Sequence, residues 1–183
     1  MTARLLTMTW DELIRRGLWL YYNRNNITYC LGCAGQVAGR DDIVKSNFIY
    51  YYDHGWREKI GKDLYMWDAA MDAEDTWQLW LSYNAGKMCF DCSGLLCWCM
   101  GLEGYHKYSS WSFGDMQPVA TPSQGLAGYA LFKPGHVSMD IGYGYCIEIG
   151  EYNHSIEFNK ISERDFTNSH AIVGIDYTGA DGR

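Results

Sequence analysis

Two hydrophobic periods meet in this chain of 183 residues. Up to about residue 100, apolar side chains recur every three or four positions, the spacing of one helix face. From residue 128 the period drops to two, in short runs separated by Gly or Asn, as half-buried strands require. The alternation predicts strands at about 129–133, 136–141, 145–151, 155–160 and 171–177. Helices first and adjacent strands afterwards define an α+β chain with an antiparallel sheet of about five strands.

The helical part has local punctuation. Thr9-x-x-Glu12 is a capping box ahead of an apolar stripe through Trp10, Leu13, Ile14, Gly17, Leu18, Tyr21 and Tyr22, which predicts a helix over 9–23. Asn25-Asn26 ends it, and 27–36 reads as an extended piece running into a glycine-rich loop. Residues 41–86 read as helical: Asp42 caps a first turn, Gly55 and Gly61 interrupt, and Asp72 opens a second helix with Trp77 and Trp80 inward. The stretch 105–127 reads as loop with a short turn at 111–116.

Length fits one domain with a real core. No apolar run approaches the 18 residues of a membrane span, and Met1–Thr7 has no signal-peptide core, so synthesis in the cytoplasm is expected. A net charge of −7 argues against a nucleic-acid partner. Residues 41–86 concentrate that acidity, with four Lys/Arg against nine Asp/Glu. Seven cysteines leave at least one thiol unpaired, which suits a reducing compartment better than a disulfide framework.

Chemistry concentrates at Phe90-Asp91-Cys92-Ser93-Gly94. Asp91 is a good N-cap, and Leu95, Leu96, Cys99 and Met100 follow at helical spacing, which puts Cys92 on a helix's first turn. Free N–H groups and the positive dipole end there favour an anion, so a thiol is expected to ionise more easily. A histidine brought in by the fold would complete a nucleophile–base pair, and His136, 44 residues on at the start of a strand, is the candidate. Alternation puts His136, Ser138 and Asp140 on one face. A three-residue loop Gly142-Tyr143-Gly144 would pair Ile141 with Tyr145 and set Glu148 diagonal to His136 on that face. Glu148 is therefore the expected orienting group, Asp140 the second choice and His154 a distant third.

Metal is the competing reading. Cys30-x-x-Cys33 and Cys89-x-x-Cys92 have the spacing of a four-thiolate zinc site. But Cys92 lies inside a helix-cap motif, and zinc would consume the nucleophile. No metal or organic cofactor is expected.

Phe90-Asp91-Cys92-Ser93-Gly94-Leu95, Gly128-Tyr129-Ala130-Leu131-Phe132, and Gly135-His136-Val137 with Ile141-Gly142 resemble the NlpC family of papain-like cell-wall cysteine peptidases. The resemblance implies a papain-like domain over 1–183 whose nucleophile helix packs on the sheet. It implies Cys92 as nucleophile, His136 as base and Glu148, twelve residues on, as third residue. Tyr29-Cys30-Leu31-Gly32-Cys33-Ala34-Gly35 resembles the family's tyrosine motif, which makes Tyr29 a candidate for the oxyanion pocket and leaves about 37–88 as a helical insertion. Asp91 and Ser93 join Tyr29 as oxyanion or substrate-contacting candidates; in the family the aspartate meets the substrate's amino end.

The implied activity is hydrolysis of a peptidoglycan stem-peptide amide, typically after γ-D-glutamate. The signal-less form is similar to phage endolysins released through a holin. An N-acetylmuramoyl-L-alanine amidase or acyltransferase on the same dyad, and a non-catalytic wall-binding or phage-structural module, are the alternatives.

Overall fold

The computed structural model describes residues 8–62, 64–116, 118–122, 126–150 and 154–180. Met1–Thr7, the end of the expected strand 145–151 and the last three residues of the chain lie outside them. Strand β1, Met8–Thr9, leads into helix α1, Trp10–Tyr22. Thr9 Oγ1 accepts the Glu12 N–H at 3.2 Å, satisfying one of the helix's unpaired donors. Gly17 lets α1 press onto the C-terminal sheet: a Cβ there would lie 2.1 Å from Met139 Cε.

Strands β2, Ile27–Tyr29, and β3, Ala34–Val37, follow. The chain then makes a helical excursion through α2, Asp42–Tyr51, α3, Arg57–Lys62, and α4, Ala73–Asn84. The N-cap of α2 is Asp41, one residue before the expected Asp42; Asp72 caps α4 by accepting the Asp75 N–H at 2.8 Å. Between α2 and α3 the helix is kinked at Gly55, whose φ of 101° is the conformation glycine tolerates best. Phe48, Trp77 and Trp80 anchor the excursion, with ring centroids 5.3–5.4 Å apart. Each such buried aromatic contributes roughly 2–3 kcal/mol by burial alone. The excursion leaves and rejoins at one neck, where the Ala38 N–H donates to Lys87 O and the Gly86 N–H to Ala38 O, both at 2.9 Å.

The next strand has no counterpart among the expected elements. Strand β4, Met88–Phe90, enters between β2 and β3, parallel to β2 and antiparallel to β3. Helix α5, Cys92–Cys99, starts two residues beyond it, and α6, Ser110–Gly114, occupies the expected short turn.

Among the described residues the C-terminal sheet has six antiparallel strands, one more than expected. They are β5, Pro118–Ala120; β6, Ala130–Lys133; β7, His136–Gly142; β8, Tyr145–Glu148; β9, Glu157–Lys160; and β10, Asn168–His170, in the order β5-β10-β6-β7-β8-β9. β5 falls in the stretch read as loop. The expected strand 171–177 is displaced: 168–170 joins the sheet, while β11, Ile175–Asp176, pairs with β1. Strands of two or three residues are too short for alternation to place them. Val137, Met139, Ile147 and Ile149 face the main core, and Leu131, Cys146, Ile161 and Phe166 form a second cluster. All seven cysteines are buried free thiols.

The β7–β8 hairpin corrects one expectation and keeps its consequence. The loop is two residues, Tyr143-Gly144, with Gly142 paired to Tyr145. Both loop residues have positive φ, 56° and 79°, as a hairpin turn matched to strand twist requires. A plain two-residue loop would set Glu148 opposite Met139. A bulge at Ile141 adds one residue to β7 and restores Asp140 opposite Cys146 and Met139 opposite Ile147, the register expected from the longer loop.

Candidate active site

The parallel pairing of β2 with β4 sets Tyr29 beside Phe90, so Tyr29 and the start of α5 share one end of the small sheet. Hydrogen bonds from the Cys30 N–H to Phe90 O at 2.9 Å and the Asp91 N–H to Cys33 O at 3.0 Å tie the 29–35 loop to the α5 entry. Asp91 is 5% exposed, and its carboxylate is crowded with donors. Oδ1 accepts the Gly94 N–H at 2.7 Å and the Ser93 hydroxyl at 3.0 Å; Oδ2 accepts the Gly32 N–H at 2.8 Å. His106 Nε2 reaches both oxygens, at 2.8 and 2.9 Å, and lies 3.2 Å from Ser93 Oγ. Burial lowers the His106 pKa, but the Asp91 carboxylate outweighs it and holds the imidazole above its ordinary value.

Gly94 is required by a close approach: a Cβ would stand 1.9 Å from the Cys33 carbonyl oxygen. That oxygen belongs to backbone already committed to Asp91, so it has little freedom to move. Gly94→Ala is expected to destabilise the fold by about 3 kcal/mol or more, read as a lowered urea midpoint. A loss under 1 kcal/mol would mean that the loop yields.

Cys92 begins α5 and is 8% exposed. The helix start does not leave it as a free thiolate. Burial, then the Asp91 carboxylate, push the thiol up to about 12, against a pull from the Val137, Ser93 and Cys92 N–H groups. The resting group is a thiol set against the amide that follows His136, and ionising it requires a base at hand.

His136 Nε2 lies 2.7 Å from Glu148 Oε2. Glu148 is 3% exposed; burial raises its pKa, but His136 and Arg164 together hold it below the ordinary value. An ionised carboxylate only accepts, so Nε2 carries a proton and Nδ1 is the ring nitrogen that Glu148 leaves available. Glu148 Oε1 accepts from the Arg164 guanidinium and from Asn159 Nδ2, the latter at 2.8 Å. Phe166 stacks on the His136 ring at 6.3 Å, and Gly150 leaves space beside it, since a Cβ there would lie 3.4 Å from Cε1.

Asp140 makes its bond to the Gly142 N–H at 2.7 Å. Burial pushes its carboxyl up to about 6. Because the folded state holds this proton more tightly than the unfolded chain, ionised Asp140 costs stability above about pH 6, and the cost disappears below about pH 4. Asp140→Asn is expected to gain about 2 kcal/mol at pH 7.5 and nothing at pH 3.5 in urea titrations; equal effects at both would refute a buried, proton-holding Asp140. His154 pairs loosely with Glu157 at 3.8 Å.

A cleft of about 450 Å³ collects the groups: Tyr29, Cys92, His136 and Glu148 line it, with Trp56 and Lys59 from the helical excursion. Asp91 and Ser93 are not among its lining residues; they support the α5 entry from beneath. Arg164, Asn159 and His106 were missed by sequence reasoning. Each lies in a loop or on a strand edge with no motif, and only tertiary contact reveals it. Among the described residues, no group of three or more His, Cys, Asp or Glu is arranged to hold a metal ion.

A thiol on a helix start and an imidazole–carboxylate pair on an antiparallel sheet give the chain a papain-like α+β fold, the one expected of the NlpC family. Among solved structures it is similar to the peptidoglycan hydrolase RipB from Mycobacterium tuberculosis, with 16% identity and a TM-score of 0.50, over 89% of this chain and 66% of that one. The chain thus spans just under two thirds of that structure. The P60 domain of an antigen from M. avium subspecies paratuberculosis matches at 15% identity over 90% and 97% of the two chains, with TM-score 0.48. NlpC1 from Trichomonas vaginalis matches at 13% over 87% and 43%, with TM-score 0.46. At 16% identity the likeness to RipB is one of fold. No protein-family model and no curated protein matches the chain.

Proposed function

We propose that this chain is a cell-wall hydrolase, a cysteine endopeptidase that cuts a peptidoglycan stem-peptide amide after γ-D-glutamate. The observation that carries the reading is the 2.7 Å bond from His136 Nε2 to Glu148, which leaves Nδ1 as a base on the cleft that Cys92 lines. The RipB-like fold supports the substrate class. Release as a phage endolysin, and the excursion 37–88 as an insertion into the catalytic domain, belong to the same proposal. Among the described residues no helix is long and apolar enough to cross a membrane.

His136 Nδ1 takes the Cys92 proton as sulfur attacks the amide carbonyl carbon, forming the C–S bond. The Cys92 N–H at the helix start, with Tyr29 on the cleft wall, faces the oxygen as it gains charge. Nδ1–H then protonates the leaving nitrogen, the C–N bond breaks and a thioester remains. Water, deprotonated by Nδ1, adds to the thioester, and the returning proton restores the thiol.

The test is digestion of purified walls of diaminopimelate and lysine type, with mass spectrometry of the released fragments. A new amine on the residue that followed γ-D-glutamate is expected. A new amine on L-alanine would indicate an amidase, and no release from either wall would overturn the hydrolase reading.

A further inference from the structure

We propose that Lys59, held over Trp56 on the kinked limb of the helical excursion, is a carboxylate-binding subsite. The substrate would then be a peptide with a free carboxylate beside the amide that is cut. The inference rests on the hydrolase reading and adds a substrate class to it. Its carriers lie outside every motif discussed above.

The kink at Gly55 redirects the helix, and Trp56 and Lys59 at the start of the new limb join the cleft lining that holds Cys92 and His136. Lys59 Nζ stands 4.5 Å from the centroid of the half-buried Trp56 ring. The ring restrains a long, flexible side chain without neutralising it, which reduces the ordering cost of binding an anion.

The charges around the cleft single out this lysine. Arg164 is committed to Glu148 and Glu157, Lys133 to Asp165, and His154 faces Glu157. On Lys59's own limb, Glu58 is taken by Lys62 at 3.9 Å. Among the described residues, no carboxylate lies within ion-pair distance of Lys59. The segment carrying it is strongly acidic, so general attraction to anions is weak there. A local contact with one negative group of a bound peptide is what this cation is placed to make.

The experiment compares L-alanyl-γ-D-glutamyl-L-lysine with its counterpart in which the glutamyl α-carboxylate is a carboxamide. The wild-type chain is expected to favour the carboxylate peptide by about tenfold in kcat/KM, mostly through KM, with the preference eroded by salt. Lys59→Met should level the ratio to within about twofold, and Lys59→Arg should keep it. An undiminished ratio in Lys59→Met, or a wild-type preference for the carboxamide, would overturn the subsite. Affinities of the two peptides for Cys92→Ala, measured by calorimetry, separate this proposal from the hydrolase reading. If neither peptide is cut, the hydrolase reading fails, while equal affinities fail the subsite independently.

Discussion

Replacing Cys92 with alanine is expected to lower wall hydrolysis by at least about 10⁴-fold, to the assay floor, with the thermal midpoint within a few degrees of wild type. In the proposed mechanism the sulfur forms the bond to carbon, and the adjacent Ser93 cannot take its place, because its Oγ is bound to Asp91 and buried. Alanine is a good helix former at the first position of α5, and Asp91 would keep its cap on Gly94. A resting thiol pushed up to about 12 adds a second readout. Alkylation by iodoacetamide at neutral pH should be slow without His136 and much faster with it. Full lysis by Cys92→Ala would end the proposed chemistry, whatever the fold.

Glu148→Gln should be the next most damaging change, lowering kcat by about 10²–10³-fold. The amide can present its N–H₂ to His136 Nε2, which forces the ring proton onto Nδ1, the nitrogen that accepts from sulfur in the proposed mechanism. It also leaves the Arg164 guanidinium beside a neutral group, so a stability loss of about 1–3 kcal/mol should accompany it. Asp140→Asn, by contrast, should keep activity within about threefold while gaining stability at pH 7.5. The opposite order of activities would show that the third residue is misassigned.

How much was legible depended on how local the cause was. The α5 start could be read because capping, first-turn position and apolar spacing all lie within ten residues, and Asp91 caps Gly94 as the pattern required. The His136–Glu148 pairing was legible because alternation over two strands fixes which side chains share a face. The loop that achieves it was not, since two glycines around Tyr143 suit either a three-residue loop or a two-residue loop with a bulge. Strand β4 escaped because three residues pairing in parallel across 61 positions leave no periodic trace. The easily ionised thiol expected at a helix start was overridden by burial and by the Asp91 carboxylate, both products of packing. Arg164 and His106 reach their carboxylates from loops, where sequence distance says nothing about space.

The extra residue at Ile141 lets a two-residue loop hold the pairing that a three-residue loop would otherwise give. Flattening the bulge with Ile141 still present would slide β7 one position along β8, set Glu148 opposite Met139 and turn the imidazole and its carboxylate partner to opposite sides of the sheet. Deleting Ile141 outright would leave Asp140 opposite Cys146, so homologous chains with a regular β7 should carry either one residue fewer there or a three-residue loop. A designer who straightens β7 should therefore remove that one residue and leave the loop unchanged.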